Sequence, residues 1–150
     1  MSNRPPATAD WIRGITIRQP WTTCILSGAK TIENRPRPWS WRGWLLLHSS
    51  QRVDTPALRD PLVARTIRGR HLHTGTILGV ARLTACHQDP DKAPPCDPWA
   101  HPGSHHLLLT DIHELALPIP ATGSLGPWKP AEHLVDQVVL QLPHLRPPAS

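Results

Sequence analysis

Short apolar segments, separated by polar and proline-rich stretches, run along most of this chain. Segments of this length that are rich in Ile, Leu and Val are typical of β-strands. They fall at residues 15–17, 44–48, 75–85, 106–110 and 112–117, and a further apolar stretch at 134–142 completes the set. The continuous apolar run at 44–48 indicates a buried strand, and Asp111 separates the last two predicted strands.

A short helix is predicted directly after the first strand. Pro20 suits the first helical position, where its missing N–H is not needed. Trp21, Cys24 and Ile25 recur at helical spacing and form the predicted buried face, so Cys24 is interpreted as a core residue. Gly28 suits the left-handed position that ends such a helix. The unpaired N–H groups at the helix start favour an anion or a carbonyl oxygen nearby.

A second helix is predicted at residues 56–68. Its apolar face carries Leu58, Leu62, Val63 and Ile67, and its other face carries Arg59, Arg65 and Arg68, with Arg70 just beyond. Such a basic face is either a solvated helix surface or a track for phosphate groups. The pattern leaves both interpretations open.

The elements together predict one domain of the α+β class. A chain of 150 residues is long enough to bury a core without disulfides. Five or more short strands with two inserted helices indicate a sheet curled into a small barrel. We place the domain at residues 11–142, with flexible, Pro-containing ends at 1–10 and 143–150. Residues 86–104 form a long loop, which in a compact domain is usually functional or mobile.

Composition narrows the class of partner. The formal net charge of +5 fits a polyanionic partner, although it also aids solubility. The three cysteines show no disulfide pattern, which indicates a reducing, cytoplasmic compartment. No signal peptide and no apolar run of membrane-spanning length is present, so no membrane association is expected. The Arg-, Ala- and Pro-rich composition is typical of a GC-rich bacterial genome.

The segment from Gly28 to Arg35, GAKTIENR, concentrates the candidate chemistry. In an extended chain Glu33 and Arg35 share one face and Lys30 lies on the other. A bend after Gly28 brings all three around one pocket; the alternative is a solvated edge strand. A pocket with several cations and one carboxylate suits a nucleotide, because cations bind phosphate and a carboxylate accepts hydrogen bonds from a base or ribose.

Several segments together resemble the ASCH (activating signal cointegrator homology) domain. They are Ile15 to Trp21 (ITIRQPW), the GxKxxExR signature from Gly28, Arg42 to Ser50 (RGWLLLHSS), Gly75 to Leu83, and Pro118 to Trp128 with its GxxGxW pattern. The resemblance runs from about residue 13 to about residue 141. It implies a PUA-like β-barrel of five to seven strands with two or three helices. It also implies binding of RNA, other single-stranded nucleic acid or a nucleoside-like molecule.

The signature and its neighbours supply the candidate ligand-binding residues. These are Arg18, Gln19, Trp21, Lys30, Glu33, Arg35, His48, Ser49 and Trp128. Trp21 and Trp128 are candidates for stacking on a base, although the helical spacing of Trp21 equally fits a core residue. His48 equally fits a core histidine.

A second interpretation makes the protein a hydrolase with Lys30 and Glu33 as catalytic residues. A Lys beside a Glu can act as nucleophile or general base when burial favours its neutral form. Small bacterial ASCH-like amidohydrolases deacetylate N4-acetylcytidine with a Lys in this signature and a nearby Thr and Glu. Lys30 matches that Lys, but Glu33 stands at the Thr position and no counterpart of the Glu is placed. Ribonuclease activity is also attributed to the family.

Two further interpretations complete the set. A regulatory interaction module that binds no nucleic acid is the third functional class. A zinc site from one loop is the other interpretation, with the candidate ligands Cys86, His87, Cys96, His101, His105 and His106. Their spacing matches no standard zinc pattern. No metal site and no cofactor are therefore predicted, and the oligomeric state is left open.

Overall fold

A computed structural model describes residues 4–149 of the chain. The elements follow in the order β1 (Ile12–Gln19), α1 (Trp21–Leu26), β2 (Ile32–Arg35), β3 (Gly43–Val53), a 3-10 helix (Pro56–Arg59), α2 (Pro61–Thr66), β4 (Thr76–His87), β5 (His105–Pro120) and α3 (Glu132–Gln141). The α+β prediction and the numbers of strands and helices are confirmed.

The five strands form one mixed sheet in the order β1-β3-β4-β5-β2. β1 runs parallel to β3, and the other neighbours are antiparallel. β1 and β2 are therefore the two edges. The sheet curls as in a PUA-like barrel, so that Arg35 on β2 donates from Nη2 to the Thr16 carbonyl on β1 at 2.8 Å. No strand pairing joins the two edges within the described residues, so the barrel stays open at this seam.

The core lies on both faces of the sheet. Leu46 packs with α3, whose Leu134, Val135 and Val138 are buried, whereas Leu45 and Leu47 pack on the opposite side with Ile25 of α1. Because side chains alternate along a strand, a central strand covered on both faces must be apolar throughout. This explains the continuous apolar run of β3.

The predicted helix at 56–68 is broken in two. Asp60 is extended, with ψ 123°, between the 3-10 helix and α2, and its carboxylate caps α2 by accepting from the Leu62 N–H at 2.9 Å. Pro61 causes the break, because a proline disfavours helical geometry in the residue before it.

The two strands predicted at 106–110 and 112–117 are one strand, β5. Asp111 has φ 50° and the pairing with β4 shifts between Arg82 and Val80, which marks a bulge. The bulge changes the direction of the strand without ending it. The apolar stretch at 134–142, left without a type by its pattern, is mostly helix α3.

Packing extends beyond the predicted domain limits of 11 and 142. Ala9 and Leu145 are buried in the core beside α3, and the Ala9 N–H donates to the Pro130 carbonyl at 3.0 Å. The predicted flexibility of the ends stays a prediction, and residues 1–3 and 150 lie outside the described residues. Of the helices within residues 4–149, none is long and apolar enough to cross a membrane.

Candidate functional site

A cleft of about 470 Å³ lies at the open seam between the two edge strands. We call it the seam cleft. Its lining residues are Thr16, Ile17, Arg18, Trp21, Lys30, Glu33, Asn34, Arg35, Pro36, Asp54 and His101. Five of the nine sequence-predicted ligand residues are among them, namely Arg18, Trp21, Lys30, Glu33 and Arg35.

The Gly28–Arg35 segment builds the inner wall of the cleft. Gly28 ends α1 with φ 86°, a left-handed conformation that glycine adopts without strain. The Lys30 N–H then donates to the Cys24 carbonyl at 3.2 Å, which turns the chain back along α1. Lys30 precedes β2, so strand alternation does not force it away from Glu33 and Arg35 on that strand.

Lys30, Glu33 and Arg35 form one ion-pair chain. Only 1% of Lys30 is exposed, and its Nζ lies 3.0 Å from Glu33 Oε1 and donates to the Ile32 carbonyl. The other carboxylate oxygen, Glu33 Oε2, lies 3.1 Å from Arg35 Nη2. The two cations therefore share a buried carboxylate between them.

The charge state of Glu33 follows from this geometry. Burial alone would raise the pKa of Glu33, but the Lys30 ammonium and the Arg35 guanidinium outweigh burial and hold that pKa below its usual value. The carboxylate is therefore ionised at neutral pH.

An aromatic wall faces the ion-pair chain. The half-buried Trp21 donates from Nε1 to Asp54 Oδ2 at 3.0 Å, and the His101 ring meets it edge-on with centroids 5.6 Å apart. Lys30 Nζ lies 5.7 Å from the Trp21 ring centroid, a cation–π distance. Trp21 thus contributes both to packing and to the cleft surface.

Asn34 attaches the long loop to the cleft. Its Nδ2 donates to the Trp99 carbonyl at 2.9 Å, and its Oδ1 accepts from the His101 N–H at 2.8 Å. Trp99 is buried with Cys24 and Val63. The loop between β4 and β5 is therefore tied to β2, α1 and α2 at this point, and it supplies one wall of the cleft.

The rim of the cleft carries Arg18. Its side chain is exposed near the end of β1, and no partner for its guanidinium is found within residues 4–149. The cleft lining has three cations and two carboxylates, so its formal charge is +1. Lys30 and Arg35 are offset by Glu33 and Asp54. Arg18 accounts for that excess positive charge.

Gln19 lies at the helix start and is fully buried. Its Oε1 accepts from the Thr23 N–H at 3.0 Å, and its Nε2 donates to the His73 carbonyl at 2.8 Å. Part of the anion-attracting helix start predicted from Pro20 is thus already capped by the protein itself.

His48, Ser49 and Trp128 lie outside the seam cleft. His48 donates from Nε2 to the Ala121 carbonyl at 2.7 Å, and burial lowers its pKa. Ser49 bonds Thr76 at 3.3 Å. Trp128 donates from Nε1 to Thr16 Oγ1 at 3.2 Å and meets the His48 ring edge-on. Trp128 and His48 thus pack beside Thr16 of β1.

Four polar lining residues were not among the predicted ligand-binding residues: Thr16, Asn34, Asp54 and His101. Asn34 stands inside the signature between Glu33 and Arg35, so its position was a usable signal. Asp54 follows β3 and His101 belongs to the loop, and neither has a local pattern that places it here.

The fold is an α+β domain of the PUA-like type with an open cleft at its seam. A family model for the ASCH domain matches residues 15–116, more than half of the chain. The chain belongs to the ASCH domain family, a PUA-like family that is often linked to RNA binding.

Two solved structures from Zymomonas mobilis are similar to this chain. ASCH from that organism is 16% identical, covers 93% of this chain and 85% of its own, and gives a TM-score of 0.45. A ZmASCH mutant protein is 17% identical, covers 94% and 88%, and gives a TM-score of 0.46. No curated protein matches the chain.

Proposed function

We propose that this protein binds RNA, or a modified nucleoside within it, by holding one nucleotide in the seam cleft. The observation that carries the proposal is the convergence of Arg18 on β1, Arg35 on β2 and the preceding Lys30 on one cleft with Trp21 in its wall. The volume of about 470 Å³ falls within the range of roughly 300–1,000 Å³ that is usual for small-ligand sites.

Donors in the inner cleft suit the acceptor groups of a base. A lysine ammonium has three N–H donors, and Glu33 and the Ile32 carbonyl occupy two of those of Lys30. Arg35 Nε is buried and has no hydrogen-bond partner among the described residues. A base carbonyl that accepted from these donors would satisfy a group whose desolvation is otherwise uncompensated.

Arg18 suits the phosphate. It is exposed at the rim, while the inner cations already face Glu33. Because a single uncompensated cation carries the phosphate contact, we expect a modest salt dependence. For single strands the slope of log K against log salt is about −0.7 per neutralised phosphate.

A titration of intrinsic tryptophan fluorescence with short single-stranded RNA tests the proposal. We expect binding at low salt that weakens at moderate salt. Arg18→Ala should weaken it about 10-fold or more, since a hydrogen bond to a charged group contributes roughly 1.5–3 kcal/mol. Arg146→Ala is the matched control, because Arg146 is exposed, lies outside the basic helix and does not line the cleft. Absence of binding by folded protein at low salt would favour the interaction-module interpretation.

Hydrolysis of an acylated nucleoside is the second candidate, and the buried Lys30–Glu33 pair in the cleft favours it. Because Glu33 stands where the N4-acetylcytidine amidohydrolases carry Thr, we expect little or no cytidine from N4-acetylcytidine. Release of cytidine that Lys30→Arg abolishes, while RNA binding persists, would show that the hydrolase interpretation is correct.

A further inference from the structure

Four potential metal ligands meet where the long loop leaves β4 and enters β5. They are His87, Asp89, Cys96 and His106, and one ligand atom from each lies within 4.8 Å of the others. We call this group the loop cluster. It is separate from the seam cleft, whose lining includes none of the four.

Four of the six ligand-to-ligand distances in the loop cluster are 3.3–3.8 Å, close to the edges of a tetrahedral zinc site. Zinc bonds of about 2.0–2.3 Å to N, O and S give ligand-to-ligand edges of roughly 3.3–3.6 Å. Cys96 Sγ lies 3.3 Å from His87 Nε2 and 3.6 Å from His106 Nδ1. Asp89 Oδ1 lies 3.3 Å from His87 Nε2 and 3.8 Å from His106 Nδ1.

Outer hydrogen bonds orient two of the ligands as metal sites require. His106 donates from Nε2 to the His101 carbonyl at 3.0 Å, so its Nδ1 is the nitrogen that carries a lone pair toward the cluster. Asp89 Oδ2 accepts from the Cys96 N–H at 3.0 Å, which leaves Oδ1 facing the two rings. A histidine bonded to a backbone carbonyl through its other nitrogen is the usual arrangement of a metal ligand.

The fold explains why sequence spacing does not reveal this group. His87 and His106 are paired residues on the neighbouring strands β4 and β5, so strand register brings their side chains together. Asp89 follows β4 by two residues, and the loop returns Cys96 onto the same point. The ligands depend on tertiary structure and follow no short repeated motif.

We propose that the loop cluster binds one zinc ion as a structural site. Two imidazoles, one thiolate and one carboxylate are ligands that zinc accepts in tetrahedral geometry, whereas magnesium and calcium require oxygen donors. Four protein ligands leave no open position for substrate, which is the pattern of a structural site. The ion fixes the loop that carries Trp99 and His101 to the cleft.

Metal stoichiometry and cobalt spectroscopy test the site on untagged protein. After chelation and reloading, we expect one equivalent of zinc by elemental analysis. Cobalt substitution should give the visible bands of a tetrahedral ion and a thiolate charge-transfer band in the near ultraviolet. Cys96→Ser should remove the charge-transfer band and weaken zinc binding at least about tenfold. Cys96 is exposed, so this variant is expected to fold.

Matched variants make the assignment specific. Cys86→Ser removes the neighbouring thiol that is not in the cluster, and His105→Ala is the control for His87→Ala; both controls should bind zinc as wild type does. Wild-type protein that is folded and holds much less than one equivalent of zinc would overturn the proposal. Unchanged zinc affinity in both Cys96→Ser and His87→Ala would also overturn the proposal. Equal losses of zinc affinity in these variants and in their controls would overturn it as well.

Discussion

The seam cleft and the loop cluster both bring polar side chains together, but they differ in how charge is balanced. In the seam cleft, Glu33 lies between Lys30 and Arg35, so cations and carboxylate satisfy one another. In the loop cluster, the converging atoms are those of two imidazoles, a carboxylate and a thiol, with no Lys or Arg among them. In the first group the carboxylate already has two cationic partners without a ligand, whereas the second group consists of atoms that can donate electron pairs to a metal.

This difference separates two roles for polar clusters. A balanced cluster stabilises the fold and leaves only its unused donors, such as Arg35 Nε, for a ligand. A cluster of metal-ligand atoms is stabilised mainly by the metal ion that it binds. We therefore expect a residue substitution to reduce stability most in the seam cleft, and zinc removal to reduce stability most at the loop cluster.

Lys30→Met tests the balanced region and should have the largest effect. Breaking a buried ion pair by removing one partner costs about 3–5 kcal/mol, and we expect the lower value, about 3 kcal/mol, because Arg35 still contacts Glu33. The loss of stability is measured as the change in the free energy of unfolding, obtained by urea titration. The exposed Lys129→Met is the control and should change little. A loss no larger than that of Lys129→Met would show that the pair does not stabilise the fold.

Zinc removal tests the other region. If the loop cluster binds zinc, the free energy of unfolding should be about 2.7 kcal/mol higher at a free zinc concentration of 100 times Kd than in chelator. Urea unfolding in a zinc buffer and in chelator measures the gain. Cys96→Ser should remove most of it and Cys86→Ser none. An equal gain in both variants would mean that zinc acts elsewhere.

Asn34→Ala tests whether the two regions are coupled. The substitution leaves the Trp99 carbonyl and the His101 N–H without their partner, which should cost about 1–2 kcal/mol. Amide hydrogen exchange should become faster within residues 88–104 and stay unchanged in β3. The exposed neighbour Thr31→Ala is the control. Unchanged exchange in the loop would show that Asn34 does not hold it.

Glu33→Gln sharpens the comparison through the pH dependence of stability. The pKa of Glu33 is lowered from its usual 4.5, so the ionised carboxylate stabilises the fold above about pH 4.5 and that stability is lost as pH falls through the lower folded-state pKa. The stability gap between wild type and Glu33→Gln should therefore be widest at neutral pH and shrink in acid. A gap that widens as the pH falls would contradict the assignment.

Local features of the sequence were sufficient to predict the inner wall of the cleft. Gly28 as the end of α1 and the following signature lie within a few residues of one another, so their geometry depends on short-range rules. The break at Pro61 was equally local, because proline restricts the residue before it. It was missed because the apolar periodicity continues across it.

Long-range features could not be predicted in the same way. Asp54 and His101 reach the cleft from the end of β3 and from the loop, and His87 meets His106 through the register of β4 and β5. Register is set by the packing of whole strands and by bulges such as the one at Asp111, and neither is visible in residue spacing. The same reason explains why residue spacing alone does not define the loop cluster.

The contact of Trp128 with β1 has a consequence for folding. Trp128 exchanges two backbone hydrogen bonds with Gly14, and its indole occupies the space where a Cβ at Gly14 would lie. Its bond to Thr16 joins residues 112 positions apart. During synthesis β1 is made before Trp128, so the outer edge of β1 stays unpaired until the later segment folds against it. An unpaired strand edge can form backbone hydrogen bonds with other chains. Chains truncated before Trp128 should therefore aggregate through β1.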